Sequence, residues 1–181
     1  MMICGGELPP LFALFPFTPS PLFPMNERCT FFRLGRDQAK QLFACRTPEA
    51  LRAFVEALDA ASALEGGAAA LALHRVLTNG TLEPDAGEYP LNHAVLGGRV
   101  LGHDSGFAVI LKRPDMCPHI AEALSKVKPE TIESSLAQLR AAQSETFAGI
   151  ESSDVALLLA KLTALFQSAA QGGEAVILVR K

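Results

Sequence analysis

The chain has 181 residues, with 16 lysines and arginines against 19 aspartates and glutamates, a formal charge of −3 and a pI near 5.8. That length favours one domain whose core needs no disulfide staples, and the dispersed cations give no electrostatic footprint for nucleic acid. Cys4, Cys29, Cys45 and Cys117 are widely separated, with no pair at metal or redox spacing, which fits a reduced, cytoplasmic setting.

Residues 1–24 differ from the rest: they hold half of the chain's prolines and no lysine or arginine. Pro9, Pro10, Pro16 and Pro19 interrupt the apolar residues, so the stretch reads neither as a signal peptide nor as a bilayer span. The composition changes at Met25, which is read as the native initiator, with residues 1–24 an extension outside the native product. The competing reading is an apolar arm that packs on a partner, since Leu11, Phe12, Leu14, Phe15, Phe17, Leu22 and Phe23 are costly to leave in water. Residues 25–181 are expected to form one domain.

From Cys29 to Leu34 the chain is apolar apart from Arg33, which suits a strand closed by Gly35. Arg36 to Ala44 places Ala39, Leu42 and Phe43 on one helical face. Thr47-Pro48-Glu49 then supplies an N-cap, a first-turn proline and an early acid, and Leu51, Phe54, Val55 and Leu58 predict an amphipathic helix from Pro48 to about Ala63. After Gly66-Gly67, Ala68 to Thr78 reads as a helix with a Leu73, Val76, Leu77 stripe and an Asn79-Gly80 stop. On its adjoining face Leu71, His74, Arg75 and Thr78 follow at three- and four-residue steps, so His74 and Thr78 are neighbours. Thr81 to Glu88 is an exposed acidic loop.

The stretch from Tyr89 to Val127 organises the rest. Pro90 opens a short helix that directs Leu91, Ala94 and Val95 inward and Asn92, His93 and Leu96 elsewhere, and Gly97-Gly98 end it. Gly102 and Gly106 flank a polar turn, His103-Asp104-Ser105, before the buried strand Phe107 to Leu111. Pro114, Asp115 and Pro118 open a helix with Ile120, Ala123, Leu124 and Val127 inward. A second helix follows Lys128-Pro129-Glu130, carrying Ile132, Leu136 and Leu139, and Ala142 to Ile150 is irregular. Glu151 to Gln171 forms the strongest helix, ended by Gly172-Gly173, and Glu174 to Val179 is apolar enough for a central strand. The fold class is α+β, a small mostly antiparallel or mixed sheet with helices packed largely on one side.

Three pieces in order resemble the YfbM-like family of bacterial proteins of unknown function. They are Leu73-His74 followed by Leu77-Thr78 and Gly80; Pro90-Leu91, Ala94, Gly97-Gly98, Gly106-Phe107 and the Ile120 to Leu124 helix; and Ala170 to Val176 ahead of the last strand. The resemblance runs from about Cys29 to the C-terminus and implies an α+β fold and a bacterial cytosolic setting, without a reaction to carry over. Ala70 stands where the family often has a tryptophan, and the family's aromatic-proline motif is absent around Glu145 to Ile150.

His74 is the most interesting ionisable residue: its ordinary pKa suits a general base, with Thr78 and Asn79 close by to bind a substrate. With no carboxylate at helical spacing to orient it, a ring that hydrogen-bonds neighbouring backbone is the favoured reading. His93, His103 and Asp104 with His74 are a legitimate metal ligand set but show no chelating spacing, so no metal is expected. The glycines from Gly97 to Gly106 run from helix to strand, the reverse of a phosphate cradle. Cys117 opens a helix, where a thiol pKa can fall, yet His119 two residues on faces another direction, and structural filling is favoured. Glu83, Asp85 and Glu88 read as a solvated loop.

No catalytic constellation is complete and no cofactor is implied. The expectation is a non-catalytic cytoplasmic protein that binds another protein, with immunity to a toxin or regulation of an enzyme both fitting. No nucleic acid or membrane partner is expected, and oligomeric state stays open. The alternative is a small-molecule protein or enzyme whose pocket is lined by His74, Thr78, Asn79 and His93. A deep cavity at His74 would favour the pocket, and a flat apolar patch a partner.

Overall fold

Three apolar runs with alternating side chains build the middle of an open sheet. The structure, a computed structural model, describes residues 28–104, 106–142, 147 and 149–181. The readings of residues 1–24 and of Met25 lie outside them, as do Ser105 and the side chains of His103 and Asp104. Strands β1 (Cys29–Leu34), β2 (Leu64–Glu65), β3 (Arg99–Asp104), β4 (Phe107–Lys112) and β5 (Ala175–Arg180) lie in the order β2-β1-β5-β4-β3, every neighbour antiparallel. The C-terminal strand is therefore central, as its unbroken apolar run Ala175 to Val179 predicts.

Side-chain alternation divides these strands between two cores. Cys29, Phe31, Ile110, Val176 and Leu178 face the larger core, against α3 (Gly67–Leu77), α4 (Cys117–Ser125), α5 (Pro129–Ala142) and α6 (Ser152–Gly172). Phe32, Leu34, Val109, Leu111 and Ile177 face the smaller one, against Leu42 of α1 (Arg36–Ala44) and Leu51 and Val55 of α2 (Pro48–Glu56). The helices thus lie largely on one side, four against two. By length and composition α6 could cross a bilayer, but Val155, Leu158, Leu159, Leu162, Phe166 and Ala169 are buried in the larger core. Full burial of such side chains stabilises the fold by about 1.5–3 kcal/mol each for the large ones. Gly173, at φ 61, ends α6, and the Glu174 amide reaches back to the Ala169 carbonyl at 2.9 Å.

Four local readings change. Helix α2 stops at Glu56 and not near Ala63, because the Asp59 carboxylate accepts from the Ala61 amide and starts a separate 3-10 turn over Ala60–Ser62. The glycine-rich stretch after Gly98 contains strand β3, at the edge of the sheet, where Gly102 leaves the space that Leu51 of α2 occupies. Strand β2 was also unanticipated: two residues are too few to show a period.

The helix expected after Pro90 is a 3-10 turn, Leu91–Ala94, preceded by a cis Tyr89–Pro90 peptide. Asn92 and Leu96 are buried beside Ala94 and Val95, and do not point away from them. The chain returns here against β4, and at Gly98 (φ 131) a Cβ would stand 2.7 Å from the Leu111 carbonyl oxygen. Only glycine permits that approach.

Candidate functional site

Helix α3 is apolar nearly all round and is enclosed accordingly: Ala70, Leu71, Ala72, Leu73, His74 and Leu77 are all buried. His74 therefore sits at 0 % exposure, deep in the larger core. The Leu96 amide donates to its Nδ1 at 3.5 Å, so the proton lies on Nε2, which donates to the Glu83 carbonyl at 3.2 Å. Burial lowers its pKa from 6.5 to about 4, against the Glu83 hydrogen bond, with Lys112, Arg75 and Arg180 adding to the depression. The ring is neutral at pH 7, and both nitrogens are taken by backbone.

Thr78 closes the same turn. Its hydroxyl lies 2.7 Å from the His74 carbonyl and 2.9 Å from that of Thr81, and the side chain is 2 % exposed. Asn79, at φ 56, is exposed and turns the chain out of α3. His93 is half-buried in the next loop, where its Nδ1–H meets the buried Asn92 Oδ1 at 2.7 Å. Burial depresses its pKa, Lys112 depresses it further, and Asp85 opposes both. Of the four candidate residues, His74 and Thr78 are together in the interior, while Asn79 and His93 belong to the loops beside them.

Lys112 carries no warning in the sequence, where it looks like the solvated end of an apolar strand. Alternation from Ala108 and Ile110 instead turns it toward the larger core, and it is fully buried. Its Nζ donates to the Val95 carbonyl at 2.6 Å. Burial drives its pKa from 10.5 down to about 7, opposed by Cys29 and Cys117. Like His74, it binds the loop of residues 91–98 to the core.

Cys117 is buried, with its thiol within reach of the Arg113 carbonyl (3.4 Å) and the Glu174 carbonyl (3.5 Å). Burial first, and Asp115 second, push its pKa up to about 11, so the lowering that a helix start can give does not occur. Phe147, 3 % exposed, supplies a buried aromatic within the stretch read as lacking the family motif, and the Arg75 guanidinium lies 5.4 Å from its ring centre. Among the described residues, no three His, Cys, Asp or Glu side chains are placed to hold a metal ion.

The open chemistry lies between the 3-10 turn and α4. A groove of about 460 Å³ runs there, with Pro90, Leu91, Ala123 and Val127 as its apolar lining and Glu88, Tyr89, His119, Glu122 and Lys126 at its polar edges. Tyr89 is 51 % exposed. The His93 ring meets it edge-on at 5.2 Å and the His119 ring is tilted at 6.3 Å. Lys126 bonds Glu122 at 2.6 Å and holds that carboxyl below its usual range. Tyr89 and His119 are far apart in sequence, and no spacing marks them as neighbours. A second groove, about 330 Å³, lies between α3 and α6 and includes the exposed Leu157. His74 and Thr78 line neither.

The family model described as a Domain of unknown function (DUF1877) matches residues 25–179. Among solved structures, the chain is similar to YfbM from Escherichia coli, a protein of unknown function, with a TM-score of 0.61 and 18 % identity over 85 % of this chain and 99 % of that one. At that identity the likeness speaks for the fold alone. No curated protein matches. The α+β fold and the family model, which spans most of the sequence, agree: this chain belongs to the DUF1877 family.

Proposed function

We propose that this protein is a non-catalytic cytoplasmic module that recognises another protein through the groove at Tyr89 and His119. The observation that carries the reading is a division of labour among polar side chains. His74, Thr78 and Lys112 are buried and bonded to backbone carbonyls or amides, whereas a half-exposed tyrosine stands in an open groove with an apolar lining. Tyrosine supplies large contact area with little conformational freedom to lose, and is a frequent anchor of protein interfaces. Inhibition of a toxin and regulation of an enzyme are both actions such a surface can perform. Cys29, Cys45 and Cys117 are not joined in disulfides, in keeping with a reducing compartment.

A second reading, a small-molecule site, draws on the groove's volume, which falls in the range of ligand pockets. Native mass spectrometry of the protein purified gently from its own cells separates the two. A stoichiometric protein adduct that disappears in Tyr89→Ala is the expected result. A small bound mass lost in the same variant would replace the partner reading with the second one.

A further inference from the structure

Resting on the reading of the groove as a protein-binding surface, we infer that its partner presents a cationic side chain, lysine or arginine next to an aliphatic residue, to the face of Tyr89. The charge around the groove is lopsided. Its entry loop, Thr81 to Glu88, carries Glu83, Asp85 and Glu88 and no lysine or arginine. All three carboxylates are exposed, and among the described residues no lysine or arginine forms a salt bridge with any of them. On the opposite wall Lys126 is already held by Glu122.

One of these carboxylates acts on a neighbour of the ring, where it opposes Lys112, and another adjoins the ring. Asp85 is close enough to raise the pKa of His93, and the His93 ring meets Tyr89 edge-on. Glu88 adjoins Tyr89 in sequence and lines the same groove. An exposed aromatic face with carboxylates beside it attracts a cation by the ring quadrupole and by Coulomb's law together. The chain uses this pairing internally: Arg52 lies over Phe107 at 4.3 Å, Arg75 over Phe147 at 5.4 Å and Arg99 over Phe43 at 5.9 Å. Among the described residues none plays that part for Tyr89. Leu91 and Val127 give an aliphatic neighbour of the cation a place to bury. An acidic partner would meet the unpaired carboxylates of the loop, and like charges brought together are unfavourable.

A phage-displayed library of random dodecapeptides tests this, panned in parallel on the full chain and on its Tyr89→Ala variant, each checked for a cooperative thermal melt. The expected outcome is enrichment of peptides with lysine or arginine beside an aliphatic residue on the wild type alone. One enriched peptide should then bind Glu88→Lys about tenfold more weakly, because an exposed attraction between opposite charges becomes a repulsion between like ones. Enrichment of acidic or uncharged peptides that still depends on Tyr89 would overturn the cationic occupant and leave the groove as a binding surface. Enrichment of the same peptides on both proteins, or of none on the wild type, would overturn both.

Discussion

The loop of residues 81–98 serves two regions, and it treats histidine oppositely in each. At His74 it wraps the ring, giving one nitrogen the Glu83 carbonyl and the other the Leu96 amide. At the groove it presents Tyr89, with the His93 ring edge-on to it, and the imidazole of His119 from α4 stays exposed. Residue type does not distinguish the two uses; depth and backbone partners do. A buried polar group without partners is costly, so a histidine held by two backbone groups has little left to offer a substrate. A side chain in an open groove keeps its hydrogen bonds in exchange with water and is available.

The comparison breaks most directly at His74. Replacing it with alanine opens a void in the larger core and leaves the buried Leu96 amide without its acceptor, while the Glu83 carbonyl keeps the Ala86 amide at 3.1 Å; the expected loss is about 3 kcal/mol in urea unfolding. A loss under about 1 kcal/mol would mean that the loop holds its shape without the ring. The wild type should also weaken with acid. Because the folded pKa of about 4 lies below the unfolded 6.5, the unfolded chain binds the proton more readily. The contribution is complete above pH 6.5 and fades, at about 1.4 kcal/mol per unit, as the pH falls toward 4. His74→Ala should lack this slope, which unfolding curves at pH 7.5, 6 and 5 would reveal.

Lys112 extends the same test to higher pH. Its folded pKa, about 7, lies below its unfolded 10.5, so the cost of burying its charge is greatest below pH 7 and is relieved as the pH rises toward 10.5. Wild-type stability should therefore climb between pH 7 and 9.5 relative to Lys112→Met, whose apolar side chain fills the same space without the charge. Parallel curves for the two proteins across that range would show that the buried amine titrates normally, against the environment described.

How much of this was legible in advance follows the physics of each signal. The spans of α1, α3 and α6, β1, β4 and β5 follow from the period of apolar residues and from their caps, because burial of one face imposes that period. The neighbourhood of His74 and Thr78 follows from helical spacing. Edge strand β3 was hidden because Arg99, Gly102 and His103 break any apolar run, and its place is set by β4 and α2 across the sheet. Lys112 was hidden for the opposite reason: a lysine at the end of a strand looks solvated until the far loop covers it. Tyr89 and His119 were read singly, since only the packing of α4 against the 3-10 turn brings them together.

Thr78→Val should have an intermediate effect. Valine keeps the volume and removes the hydroxyl shared by the His74 and Thr81 carbonyls, and the Thr78 amide is committed to Arg75 at 3.3 Å. Losing that link in a buried site should cost about 1–2 kcal/mol, visible as a lower urea midpoint at unchanged slope.

The smallest change in stability is expected of His119→Ala. The side chain is exposed, lies at the edge of the groove, approaches Tyr89 at a tilt and adds a weak attraction to the exposed Glu122. Surface substitutions of that kind stay within about 0.5 kcal/mol, so its urea midpoint should match the wild type. Its value lies in the contrast with His74→Ala. If the groove is the working surface, His119→Ala reduces partner binding with the fold intact, whereas His74→Ala reduces binding only in proportion to the unfolded fraction. Equal loss of binding in the two variants at a denaturant-free pH 7.5, with both fully folded, would mean that the buried ring and the open groove act as one site, and the separation drawn between them would not stand.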